Sequence, residues 1–98
     1  MTNNWSDLWE QNFQEPENVD VAVNRLMIIL EGEHKVALAT MHKEELVDLQ
    51  ISLGIAIQNA FRLHNPGSKL LASCGVAHAD DASEVIIKKL WTRLKYGD

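Results

Sequence analysis

The sequence predicts an all-α fold: a small compact bundle of three main helices, with short helices at the N-terminus and in the connections. Three observations carry this. Apolar residues recur at helical spacing in every long segment, with no sustained alternation and no hairpin signal. Helix-start residues precede the apolar stripes, namely Asn18, Ser68 and the stretch from His78 to Ser83. The length of 98 residues leaves room for one hydrophobic core, not two.

The elements follow in order. Trp5, Leu8, Trp9 and Phe13 are spaced to share one helical face, Ser6 can cap that turn, and Pro16 ends it by forcing Glu15 towards extended geometry. Residues 1–16 therefore read as an amphipathic N-terminal segment, and residues 17–98 as a single helical domain. Asn18 is the N-cap of a helix from about Val19 to Glu31, with Val19, Ala22, Val23, Leu26, Met27 and Leu30 as its stripe and Gly32 as its stop. Glu33 to Ala39 reads as one short helix with Val36 and Ala37 turned inward, and Thr40 to His42 as a connection.

The longest helix is expected from about Lys43 to Leu63. Leu46, Leu49, Leu53, Ala56, Ile57 and Ala60 form one face, while Val47, Ile51, Ile55 and Phe61 extend the apolar surface onto another. A helix that is apolar around more than half its circumference reads as a central one, covered on two sides. Gly54 costs about 1 kcal/mol against alanine in a helix interior, which points to close approach of another helix. Asn65-Pro66-Gly67 is a turn signal, Ser68 caps a short helix over Lys69 to Ser73 that presents Leu70 and Leu71, and Cys74-Gly75 ends it. The last helix starts at His78 or Ala79. Its stripe of Ala82, Ile86, Leu90 and Leu94 is widened by Val85, Ile87 and Trp91. The runs at Leu26–Leu30 and Val85–Ile87 would suit strands in isolation, but their neighbours carry helical period.

Composition excludes several classes. An apolar content of 46% with 23% charged residues suits a globular chain rather than a disordered one. No apolar run approaches the length needed to span a bilayer, and the N-terminus lacks the basic and apolar regions of a secretory signal. The single cysteine, Cys74, rules out an internal disulfide and a cysteine-built zinc site. A cytoplasmic location is the simplest expectation. The net charge of −5 is unevenly placed: residues 1–48 hold ten acids and three bases, residues 49–98 four acids and six bases. An acidic first half argues against nucleic-acid binding, which needs clustered Lys and Arg to release counterions. Lys88, Lys89, Arg93 and Lys95 do cluster, but in the last turns of a helix, where they complement its negative end.

From His78 to Leu94 the sequence resembles a family of small uncharacterised bacterial domains whose last helix opens His-Pro-Asp-Asp-Ala-Ser and continues through Ile-Ile to an aromatic residue and a leucine. The resemblance extends upstream through Asn18-Val19-Asp20-x-Ala22-Val23, Leu53-Gly54, Ile57-x-Asn59-x-Phe61-x-Leu63 and Ser68-Lys69-Leu70-Leu71. It implies a compact helical domain with no assigned activity. Ala79 stands where the pattern has proline, which is pre-organised for a first helical position but not required there.

Candidate chemistry is sparse. His78, Asp80, Asp81 and Ser83 form the most site-like cluster. They could serve a metal or an acid/base pair, but capping explains them better: acids in a first turn satisfy free N–H groups, and Asp81 can close back in a capping box. His34, His42 and His64 form no ligand pattern with one another, so no metal is expected. Cys74 at a helix C-terminus sits at the negative end, which opposes thiolate formation. Neither a phosphate-cradling glycine loop nor a nucleophile elbow is present.

The functional expectation is therefore a non-enzymatic cytoplasmic protein-interaction module that binds and modulates one partner, in the manner of an immunity protein or an inhibitor of a defence complex. The Trp5, Trp9 and Phe13 face can dock on the domain itself and complete its core; facing outward instead, Trp5, Asp7, Trp9, Glu10 and Phe13 are the candidate contact residues for the partner. Trp is enriched at interface hot spots, and the surrounding acids favour a partner with a basic surface. A membrane-surface helix would carry Lys and Arg instead, so no membrane is expected. No cofactor is expected. Two alternatives stand beside this reading: a small metal-dependent or acid/base enzyme centred on His78, Asp80 and Asp81, and a structural homodimer joined through the Trp5/Trp9 face.

Overall fold

The structure is a computed structural model that describes residues 16–65 and 67–97. Five α-helices follow one another, with no strand among the described residues: α1 (Val19–Ile29), α2 (Gly32–Thr40), α3 (Leu46–Ala60), α4 (Lys69–Ser73) and α5 (Ala79–Tyr96). The all-α expectation holds, and α1, α3 and α5 are the main helices. The N-terminal segment carrying Trp5, Leu8, Trp9 and Phe13 lies outside the described residues.

α5 is the hub and packs against α1, α2 and α3. Its first turn carries Asp80 and Asp81 and its last turn Arg93 and Lys95, each sign at the helix end that favours it. Gly97 closes it in the left-handed conformation at φ 79°, with its N–H bonded to the Arg93 carbonyl. The core is one cluster drawn from every helix: Leu26 of α1, Leu38 of α2, Leu53 and Ile57 of α3, Leu70 of α4, and Ile86 and Leu90 of α5, joined by Phe61 and Leu63.

Two clips hold the periphery. The Val19 N–H donates to Ser73 Oγ at 3.1 Å, so the end of α4 serves the start of α1. The Asn18 and Ser68 caps form as expected, accepting from Val21 N at 2.9 Å and Leu71 N at 3.1 Å. Trp91 Nε1 donates to the Met41 carbonyl at 3.0 Å and fixes the α2–α3 connection to α5. Lys95 Nζ lies 5.2 Å from the centre of the Trp91 ring, on which it makes a cation–π contact.

Several expectations need correction. α1 stops at Ile29, not Glu31, and Gly32 is not its stop. The break is made by Leu30 and Glu31, extended at ψ 136° and 159°, and Gly32 opens α2. Within α2 the inward residue is Leu38. Val36 is 63% exposed and Ala37 is exposed, because His34, Lys35 and Leu38 set the inward phase of that helix. Thr40 belongs to α2 rather than to the connection.

The predicted 43–63 helix is three pieces: a 3-10 turn at Lys43–Glu45, α3 itself, and a reversal at 61–64. Arg62 there takes φ 54°, a left-handed conformation that turns the chain so that both Phe61 and Leu63 are buried. Among the described residues nothing covers the second apolar face of α3: Val47, Ile51 and Ile55 are 70%, 69% and 52% exposed.

Candidate functional site

Two neighbouring features of α3 frame the candidate site. The side that meets α5 carries Gln50, Gly54 and Gln58, one turn apart. Gln50 Nε2 donates to the Asp80 carbonyl at 2.8 Å and to Ser83 Oγ at 2.7 Å. Gln58 Nε2 donates to Asp80 Oδ1 at 2.9 Å and to Ser83 Oγ at 3.1 Å. The Ser83 hydroxyl in turn donates to the Asp80 carbonyl at 3.0 Å. Ser83 is fully buried and Gln58 nearly so, which makes this a polar clasp between two helices inside an apolar core.

Gly54 is part of the clasp. A Cβ at this position would stand 3.0 Å from Cδ and Oε1 of Gln50. The glycine was expected to mark close approach of another helix. Its nearest neighbour is instead the Gln50 side chain of its own helix, which crosses the vacated space to reach α5. Sequence reading missed Gln50 and Gln58. The available signal was two amides flanking a glycine at i, i+4 and i+8 within an apolar helix.

The clasp settles the structural part played by the His78–Ser83 stretch. His78 is the N-cap residue by backbone conformation, but its side chain makes no cap bond and the capping box with Asp81 does not form. Asp80 spends one carboxylate oxygen on Gln58, and His78, Asp80 and Asp81 are all exposed. Among the described residues no group of three or more His, Cys, Asp or Glu is placed to hold a metal ion. The reciprocal side-chain bond of a capping box appears at His42, whose N–H donates to Glu45 Oε1 at 2.9 Å. Cys74 is half-buried, its thiol directed to the Ala82 carbonyl at 3.8 Å, and burial pushes its pKa above the ordinary thiol value. A thiol held protonated is a poor nucleophile.

The second feature is an apolar ridge. Val47, Ile51 and Ile55 are spaced by four residues and stand in one row along the outer side of α3. Large apolar side chains exposed singly are ordinary, whereas these three are aligned and form a contiguous apolar strip. The ridge runs at its Val47 end into a groove of about 300 Å³, floored by Leu46, Val47 and Ile87 and rimmed by Lys43, Glu44, Glu84 and Lys88. A second groove of about 420 Å³ lies between α1 and α5, lined by Asp20, Val23, Lys88, Lys89, Thr92 and Arg93.

The sequence-predicted contact residues Trp5, Asp7, Trp9, Glu10 and Phe13 lie outside the described residues; within the described part of the chain the ridge is an aligned exposed apolar row. No helix among the described residues is long and apolar enough to cross a membrane. Comparison with curated proteins and with solved structures gives no match. The family model of a domain of unknown function, DUF6794, matches residues 15–94, from just before the Asn18 cap to the last apolar residue of α5, and the chain belongs to that family.

Proposed function

We propose that this domain is a non-enzymatic protein-interaction module that acts in a bacterial cytoplasm by binding and modulating a protein partner. The exposed ridge Val47-Ile51-Ile55 carries the reading, since a well-packed helix that keeps three branched apolar side chains in water has a use for them at a contact. The aromatic residues Trp5, Trp9 and Phe13, with Asp7 and Glu10, supply a second contact surface suited to a basic partner. An inhibitor of a toxin or of a defence complex is a concrete form of this role. In the enzymatic alternative centred on His78, Asp80 and Asp81, one Asp80 carboxylate oxygen is already bonded to Gln58.

The experiment is affinity capture from host lysate with three proteins: wild type, Val47→Ser/Ile51→Ser/Ile55→Ser, and Trp5→Ala/Trp9→Ala. Wild type is expected to retain one protein in stoichiometric amount, and at least one variant is expected to lose it while keeping its helical circular dichroism. Capture of nothing, or of material that both variants retain equally, refutes the reading.

A further inference from the structure

We propose that the α3 ridge is occupied by a second copy of this chain, packed antiparallel across a two-fold axis at Ile51. This rests on the interaction reading above and names the occupant of that face.

Three observations point to self-association. The ridge is symmetric about its middle residue: Ile51 stands one turn from Val47 on one side and from Ile55 on the other. A two-fold axis at Ile51 then sets the axial residue against itself and Val47 of one copy against Ile55 of the other. The surface is also shaped for that pairing. The groove beside Val47, floored by Leu46 and Ile87, lies where Ile55 of the second copy arrives.

The charges along α3 are segregated in the sense that an antiparallel pair needs. Exposed Glu44, Glu45 and Asp48 outnumber Lys43 at its N-terminal end. No carboxylate occurs between Asp48 and Asp80, and exposed Arg62 stands at its C-terminal end. The two ends lie roughly 20 Å apart at 1.5 Å per helical residue. Antiparallel packing sets the acidic end of each copy against the basic end of the other and opposes the helix dipoles, whereas parallel packing stacks like on like.

Area sets the strength. The ridge offers on the order of 300 Å² per copy, short of the ~800 Å² per partner of a standard stable interface. The dimer is therefore a weak one that forms only at high concentration.

Sedimentation of the full chain from about 10 µM to about 1 mM tests this. The weight-average mass is expected to climb from the monomer value of 11.1 kDa towards twice that as concentration rises. Ile51→Glu places like charges against each other on the axis and is expected to remain monomeric throughout. Position 51 is 69% exposed and glutamate is a good helix former, so this variant keeps its fold. In a Cys74→Ser background, Ile51→Cys is expected to cross-link with diamide into a disulfide dimer, while Val36→Cys, equally exposed but off the ridge, is not.

A mass that stays at the monomer value, a dimer that survives Ile51→Glu, or equal cross-linking at positions 36 and 51 each overturns the proposal. A monomer whose ridge variant loses a different captured protein overturns the second copy as occupant and leaves the interaction reading standing. A monomer whose captured material is indifferent to both the ridge and the tryptophan substitutions overturns both.

Discussion

Replacing Gly54 by alanine is expected to destabilise this domain, although alanine is the better helix former by about 1 kcal/mol. The opposing term comes from Gln50. The new Cβ would lie 3.0 Å from Cδ and Oε1 of that side chain and 3.4 Å from its Nε2, so the amide must move. A shift of a few tenths of an ångström relieves the contact; where that shift breaks the hydrogen bonds to the Asp80 carbonyl and to Ser83 Oγ, at 2.8 and 2.7 Å, both are lost together. At about 1 kcal/mol net for each, the loss is about 2 kcal/mol against a gain of about 1. The net cost is about 1 kcal/mol, which lowers the melting temperature by about 4–8 °C in a domain of this size. Gln50→Ala removes the obstacle together with the bonds, and in that background Gly54→Ala is expected to stabilise by about 1 kcal/mol. The sign of the same substitution therefore inverts, with a coupling of about 2 kcal/mol. Urea unfolding of the four proteins, followed by circular dichroism, measures the cycle. If Gly54→Ala stabilises both backgrounds equally, the packing argument is wrong.

The remaining predictions concern the rest of the framework. Ser83→Ala takes the shared acceptor from the buried Gln58 amide and the half-buried Gln50 amide and should cost about 1–3 kcal/mol in urea unfolding. Asn18→Ala should cost about 1 kcal/mol through loss of the cap on α1. Trp91→Phe removes the donor to Met41 and should cost about 1 kcal/mol, with faster amide exchange in the α2–α3 connection. Cys74 should alkylate more slowly than a free thiol at neutral pH, and at the free rate once unfolded. Because its folded pKa lies above the free-thiol value of 9.0, the associated stability is fully present below that pH and is lost as pH rises through the folded value. Cys74→Ala should remove that part of the alkaline decline in the urea midpoint.

Much of the fold was legible because caps and stripes state their own geometry. Asn18 and Ser68 act where their side-chain oxygens and spacing put them, and the Ala82-Ile86-Leu90 stripe of α5 is the one that packs. The breaks were harder. Gly32 was a plausible stop, yet the break lies in the extended backbone of Leu30 and Glu31, and Arg62 reverses the chain without a glycine to announce it. The inward phase of α2 was misjudged because only one strongly apolar residue, Leu38, sets it.

The site divides in the same way. Local pattern placed Val47, Ile51 and Ile55 on one face of the long helix. Whether another element covers that face depends on where the rest of the chain goes, which periodicity does not encode. The clasp depends on Asp80 and Ser83 meeting Gln50 and Gln58 across two helices, with 22 to 33 residues of sequence between the partners. Each of these residues looks ordinary alone.

The clasp also bears on which way α3 is rolled. Turning α3 by about 100°, one residue along its helical wheel, would carry the ridge towards the core but would bring Leu49 and Leu53, now buried, out into water. With Gln50 and Gln58 bonded to Ser83, the same roll leaves two amides and a hydroxyl without partners in a low-dielectric interior, a cost of several kcal/mol. The polar bonds therefore act as a rotational detent. Together with the buried leucines they hold the helix at the angle that leaves Val47, Ile51 and Ile55 facing outward.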